Sequence, residues 1–295
     1  QNIAIGHNAI NGGTVTGDNN IAIGANSGDA LTSGYENVLM GLDAGTTLTT
    51  GHSNTAIGRK ALGNVNSGTV KTVAIGASAG FNGDSDESIF IGFNAAGDGT
   101  KTSDSDGTIA IGKSALNSLT SGARNTAIGY NALNAEDAGD NSVAVGYEAL
   151  KVQNNDTGAN TAVGMRAGLA VTTGYSNTLL GSGAGATLQG GYKNTYVGRD
   201  ADGANGRINS TAVGFGTTAQ ADNSVTLGNA DVTAIYAAQD SGATIYAAGL
   251  VEGSSMTLKE NIAEIESPLD KLTKLRGVEF DYKSTKERSR IHDAK

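Results

Sequence analysis

The sequence predicts an all-β chain, a parallel β-solenoid of about fourteen coils, closed by a short α+β segment at its carboxyl end. Three observations carry that expectation. A five-residue motif, NTAIG at Asn54–Gly58 and again at Asn125–Gly129, recurs along the chain. The composition supplies 44 glycines and 5% aromatic residues, with one proline, no cysteine and no tryptophan among 295 residues. The repeat breaks after Gly228, and after residue 253 the chain turns to a charged stretch with helical spacing.

Internal repetition decides the fold when it is present. The motif glycine falls at Gly6, Gly24, Gly41, Gly58, Gly76, Gly92 and Gly112, and continues through Gly129, Gly146, Gly164, Gly181, Gly198, Gly214 and Gly228. Spacings run from 14 to 20 residues and cluster at 17, too short for a pair of helices and suited to one coil of a solenoid. The residue before each glycine is aliphatic, as in Ile5, Met40, Ile57 and Leu227. The third before it is β-branched, as in Ile3, Val38, Thr55 and Val143. These two positions share one face of a strand because strand side chains alternate. Alanine mostly lies between them, so the opposite face is flat, and both faces are expected to be covered.

Alanine also stands three after the glycine in eleven of the fourteen copies, for example Ala9, Ala44 and Ala132. A second glycine often follows ten after the first, at Gly34, Gly51, Gly122, Gly174 and Gly191. It is read as the turn back, where positive φ favours glycine. Asparagine stands four before the glycine in eight copies, including Asn20, Asn37, Asn54, Asn160, Asn177 and Asn194. Stacked coils would align these amides into a ladder like those of cross-β structures. A ligand-binding polar strip is the alternative. A single thin coil has few apolar side chains to set against the entropy of fixing its backbone. Several chains joined around an axis would bury the alanine face as well.

Composition excludes several classes. Aliphatic content is too high and too regular for a disordered linker, and glycine lacks the three-residue period of collagen. A net charge of −9 and a pI near 4.8 argue against nucleic-acid partners and anionic membranes. No apolar run reaches bilayer length, so membrane insertion is not expected. The three histidines, His7, His52 and His292, are scattered, so neither a metal site nor a cofactor is expected. Gly107–Ser114, GTIAIGKS, fits the phosphate-loop pattern literally. Its intervening residues are the repeat's own strand, so it is read as solenoid. Asp84, Asp86, Asp104 and Asp106 lie in two inserts and are read as solvated rather than cation-binding. Tyr35, Tyr175 and Tyr192 at Gly-Tyr-x-Asn turns, with Tyr130 and Tyr147 after the motif glycine, are candidate surface contacts for a sugar or protein receptor. The same rings could instead shield the coil edge.

The motif (T/S)(V/A)AIG, followed by xxA and a glycine turn, resembles the head repeats of YadA-like trimeric adhesins over residues 1–228. That resemblance implies a left-handed parallel β-roll assembled as a homotrimer. Coils near 17 residues, with inserts around 84–86 and 97–106, depart from the shorter adhesin repeat. Residues 229–253 read as a transition, with Val232, Ala234, Tyr236, Thr244 and Tyr246 suggesting short strands. Ser267–Pro268 opens a helix carrying Leu269, Leu272 and Leu275, Gly277 ends it, and Val278, Phe280 and Tyr282 alternate as a strand.

Residues 254–283, SSMTLKENIAEIESPLDKLTKLRGVEFDYK, resemble the opening of the intramolecular chaperone of phage tail fibres and endosialidases. In that family the module drives trimerisation and then severs itself, with a serine as nucleophile and a lysine five residues on as base. The resemblance maps these roles onto Ser254 and Lys259, with the cut between Gly253 and Ser254. Ser255 stands where the family commonly has aspartate, and the chain stops at Lys295, short of a whole chaperone. The chain starts in mid-repeat at Gln1 with no signal peptide, and is read as a stretch of a longer fibre. The expected role is a structural segment of a trimeric fibre, in a phage virion tail or otherwise extracellular. Its expected partners are its own copies, other fibre or baseplate proteins, and a host cell-surface receptor or glycan. An adhesin head that itself binds host surfaces is the second reading. Any catalysis is limited to a single self-cleavage.

Overall fold

The computed structural model describes residues 1–65, 68–102 and 105–236. The chain divides into two units, Gln1–Ile235 and Tyr236–Lys295, and the first is a parallel β-solenoid of about thirteen turns. Its strands are three residues long: β1 (Ile3–Ile5), β2 (Ile21–Ile23), β3 (Val38–Met40), β4 (Thr55–Ile57), β5 (Val73–Ile75), β6 (Ile89–Ile91) and β7 (Ile109–Ile111). Then come β8 (Thr126–Ile128), β9 (Val143–Val145), β10 (Thr161–Val163), β11 (Thr178–Leu180), β12 (Thr195–Val197), β14 (Thr211–Val213) and β16 (Val225–Leu227). Each pairs in parallel with the next in one 14-stranded sheet. Two shorter strands, β13 (Asp202–Gly203) and β15 (Thr218–Ala219), form a separate two-stranded sheet. Register is strict: Ile21, Ala22 and Ile23 face Val38, Leu39 and Met40. Strands of three residues are viable here because each gains a partner on both sides and the ladder repeats down the rod.

The motif glycine has two reasons to be glycine. Gly58 has φ +131°, a region L residues rarely occupy. A side chain there would also stand 2.6 Å from the carbonyl oxygen of Gly76 in the next coil. The same conformation and close approach recur along the rod, as at Gly24 and Gly41. The residues four after the motif glycine also lie in the left-handed region, including Leu62, Leu116, Leu133 and Leu150 at φ 47° to 48°. That conformation costs a non-glycine residue about 1–2 kcal/mol. Each of the four leucines is fully buried, and that burial offsets the cost.

The structure corrects the sequence reading of the two strand faces. The middle residue of each strand points inward. Ala22, Leu39, Ala56, Ala74, Phe90, Ala110, Ala127 and their successors to Ala212 have no exposed surface within the single chain. The alanine face is therefore the chain's own core and is not free to meet another chain. The coil is so narrow that its strand contributes a methyl group, while the turns contribute the larger Leu31, Leu48, Leu119 and Leu188. Volume is exchanged between coils. Where Leu39 or Leu179 replaces the strand alanine, Gly45 or Gly185 stands opposite, and a side chain at either glycine would meet that leucine within 2.8 Å.

A second correction concerns the turn glycines. Gly34 and Gly51 do not adopt positive φ; they are glycine because a β-carbon there would run into the backbone carbonyl oxygens of Gly51 and Thr69 in the next coil, with Leu31 and Leu48 also 2.7 Å away. Val232, Ala234 and Tyr236 form no strand, although an alternating pattern suggested one. Beyond β16 the chain enters an Asn229–Asp231 turn, and Val232 N–H bonds back to the Asn229 carbonyl at 3.2 Å instead of joining the ladder.

Candidate interaction surface

Alternation places the flanking residues of every strand outward. On this face the fourteen strands present isoleucine, valine, leucine, threonine or methionine at both flanking positions, and no charged residue. Met40, Ile75, Ile128, Val163, Leu180 and Val213 are all more than a third exposed. Thirteen strand spacings make the face roughly 60 Å long. Monomeric proteins rarely leave a contiguous apolar surface of that extent uncovered.

Aromatic side chains follow the exit edge of the face. Tyr130 and Tyr147 stack with centroids 5.3 Å apart and planes within 11°. Lys113 Nζ lies 5.9 Å from the Phe93 centroid and 5.7 Å from that of Tyr130. The Arg166 guanidinium closes the other end at 5.7 Å from Tyr147. The run Phe93, Lys113, Tyr130, Tyr147, Arg166 thus stacks one member per coil, in the cation–π geometry that exposed sites use. On the opposite edge Tyr175 and Tyr192 stack at 4.9 Å and Tyr35 stacks on His52 at 4.5 Å. Each of the five tyrosines therefore has its ring stacked on a ring of a neighbouring coil.

Asparagine forms the ladder expected of it. Asn37 Nδ2 donates to Asn20 Oδ1 at 2.9 Å and to the Gly51 carbonyl at 2.9 Å, while its backbone N–H reaches the same Asn20 Oδ1 at 3.0 Å. Asn54 continues the chain at 3.0 Å, and Asn160, Asn177 and Asn194 repeat it at 3.1 and 3.0 Å. All are at most 1% exposed, which removes the alternative of a ligand-binding strip. The inserts hold a shorter carboxylate ladder. Asp86 Oδ1 accepts from Val70 N–H at 2.8 Å, and Asp106 Oδ1 accepts from Asp86 N–H at 2.7 Å. Burial, opposed by the Val70 bond, raises the Asp86 carboxyl above its ordinary range. No cluster of three potential metal ligands occurs among the described residues.

Two buried polar groups gave no sequence signal. Lys101 is 2% exposed, and its Nζ donates to the Ala96 carbonyl at 2.7 Å. Burial pushes its pKa down to about 7. It fills the interior where Gly83 and Gly99 occupy the position that is leucine in regular coils. Glu136 and Gln153 occupy the same column. Glu136 Oε1 accepts from Gly139 N–H at 2.7 Å and Oε2 from Gln153 Nε2 at 2.6 Å. Burial raises the Glu136 carboxyl. Comparing that column coil by coil would have exposed both.

Ser254, Lys259, Asp104, His292 and the expected helix and strand of residues 267–282 lie outside the described residues. Gly107–Ser114 encloses β7 and is solenoid. Residues 254–293 match the family described as the chaperone of endosialidase. The match begins at Ser254 and agrees with the chaperone-like segment expected there. No curated protein matches the chain.

Proposed function

We propose that this chain is a structural segment of a trimeric fibre of the phage-tail-fibre type, which positions or forms a contact with a host receptor. The observation that carries the reading is the uncharged face of aliphatic and threonine side chains on all fourteen strands, partly or fully exposed in the single chain. The chaperone-of-endosialidase match supports it, because a rod that is incomplete alone requires something to assemble it. The described residues contribute rigidity and length, and a parallel ladder with a stacked amide column suits a load-bearing spacer. The match at Ser254 also supports a single self-cleavage between Gly253 and Ser254, with Ser254 as nucleophile and Lys259 as its base, in a chain that carries a whole chaperone module.

Native mass spectrometry at low micromolar concentration tests the assembly. A species of three 29.5 kDa chains is expected, or of three shorter chains after cleavage. A folded, stable monomer would overturn the proposal. The cleavage is read from the mass of a chain extended through a complete module. A product ending at Gly253 that disappears in Ser254→Ala supports it, and cutting that survives Ser254→Ala assigns the event to another residue or protease.

A further inference from the structure

Three Asn-Gly dipeptides occur in the chain: Asn11–Gly12, Asn82–Gly83 and Asn205–Gly206. In such a pair no side chain shields the glycine nitrogen, which can lose its proton to solvent and attack the asparagine Cγ. The N–Cγ bond forms, the Cγ–Nδ2 bond breaks, and the amide leaves as ammonia. Water then opens the cyclic imide to aspartate or its β-linked isomer, with no oxidant or cofactor involved. Asparagine is a thermolabile residue for this reason. How fast each pair reacts depends on what the fold does with the carbonyl and the nitrogen.

Asn82 is locked. Its Oδ1 accepts from Asn64 Nδ2 at 2.9 Å, its Nδ2 donates to the Asp98 carbonyl at 3.3 Å, and the Gly83 N–H is tied to the Asn64 carbonyl at 3.0 Å. Asn11 is exposed, and no hydrogen bond holds its side chain among the described residues. Asn205 differs from both. In a regular coil the N–H groups of Thr32, Ser33 and Gly34 converge on the Thr49 carbonyl of the next coil at 3.0 to 3.2 Å. At the equivalent place the N–H groups of Gln189 and Gly190 converge on a side chain, Asn205 Oδ1, at 3.1 and 3.3 Å. Asn205 Nδ2 donates in turn to Gln189 Oε1 at 3.1 Å. Two backbone donors on one carbonyl oxygen form an oxyanion hole: they polarise Cγ and hold the charge that Oδ1 gathers when a nucleophile adds. The nucleophile is adjacent. Gly206 is exposed at φ +79°, nothing stands within 4 Å of where its β-carbon would be, and its N–H makes no hydrogen bond among the described residues. The turn bond from Arg207 N–H to the Ala204 carbonyl, at 3.2 Å, is what has to open for the ring to close.

We propose that Asn205 is a self-modification site, at which the Gly206 nitrogen displaces the side-chain amide while the Gln189 and Gly190 N–H groups hold Oδ1. The carboxylate that results stays on the same two donors. Hydrogen bonds to an ionised acceptor are stronger than those to a neutral amide, so the coil keeps its closure while each copy gains a negative charge.

Peptide mapping of the folded, full-length wild-type chain after incubation at mildly alkaline pH in 18O-labelled water tests this without a substitution. Label is expected at residue 205 first, about tenfold ahead of residue 11 and further ahead of residue 82. In the urea-unfolded chain the hole is gone, and the three sites are expected to react alike. No label at residue 205, labelling of residue 11 as fast or faster in the folded chain, or an order that survives unfolding would each overturn the proposal. Asn205→Asp, the direct product, is expected to melt no lower than wild type. A lower melting temperature would show that the two donors do not retain the carboxylate.

Discussion

The rod solves one problem in two ways, and the contrast lies between its asparagine tracts and its middle. In coils built on Asn20, Asn37 and Asn54, and again on Asn160, Asn177 and Asn194, each internal amide accepts two bonds and donates two. In the middle, Thr72, Ser88, Thr108 and Ser142 stand in that column, with Asn125 between the last two, and a hydroxyl makes fewer of these bonds than an amide. Helpers appear there. Ser85 Oγ lies 2.9 Å from Ser88 Oγ, and Gln153 reaches Ser142 Oγ at 3.0 Å while accepting from Asn160 Nδ2 at 2.8 Å. The column is thus defined by satisfied hydrogen bonds and not by residue type. A buried backbone N–H must find a partner, and whichever side chain reaches it will serve.

Substitutions can break that contrast in order of size. Asn177→Asp places a carboxylate in a dry column, where it faces the Oδ1 of Asn160, and is expected to cost at least about 4 kcal/mol in denaturant unfolding. Asn177→Ala removes four side-chain bonds, with an expected loss of about 3 kcal/mol. Ser142→Ala in the middle removes one hydroxyl with two partners, at 3.0 and 3.4 Å, and should cost about 1–2 kcal/mol. Should Ser142→Ala equal Asn177→Ala in cost, the two tracts are not different solutions.

The comparison is sharpened by converting one tract into the other. Glu136→Leu/Ser142→Asn/Gln153→Leu gives the middle coils the side chains of a regular tract, and is expected to keep wild-type stability to within about 1 kcal/mol. It should also remove one pH dependence. The Glu136 carboxyl titrates higher in the folded than in the unfolded chain, so its contribution to stability is full at low pH and is lost as pH rises through the folded value. A loss above about 2 kcal/mol in the triple variant would show that the polar break has its own structural task.

A separate pH dependence is expected at Lys101. Its folded pKa, about 7, lies below the ordinary 10.5, so the unfolded chain binds more protons between those values and stability climbs as pH rises from 7 toward 10. Lys101→Met should flatten that climb and raise the melting temperature at pH 7 while leaving it little changed at pH 10. A slope that persists in Lys101→Met assigns it to another group.

Much of this was legible because a repeat reports its own frame. The motif glycines, the strand positions and the asparagine ladder all follow from spacing. The direction of the strand faces did not. Alternation separates Ala56 from Thr55 and Ile57 but does not say which side is interior, and the usual expectation that bulk goes inside fails in so narrow a coil. Turn conformation was misread for a related reason. At Gly34 the demand is space for the Gly51 carbonyl of the next coil and for Leu31, while the positive φ angles fall on residues such as Leu62 and Asn131 that sequence alone would not choose. The tyrosines were found, but that they stack on one another depends on coil length, which differs between neighbours.

Strict parallel register among near-identical coils has a consequence for how the rod comes together. A coil that skips its neighbour and pairs with the following one makes almost the same ladder, so misalignment by a whole coil is cheap locally and shows only where a coil is irregular. Phe90 against Gly80, Tyr196 bonded to Ser210 at 2.9 Å, and Lys101 filling its empty column each fit only one neighbour. They act as address labels spaced along an otherwise degenerate track. A slipped chain must place an aromatic ring onto a leucine turn or a charge into a closed column, and it is driven to unzip and try again. The oddities of the sequence are thereby its error correction, and a perfectly regular version of the rod would be expected to fold into a mixture of lengths.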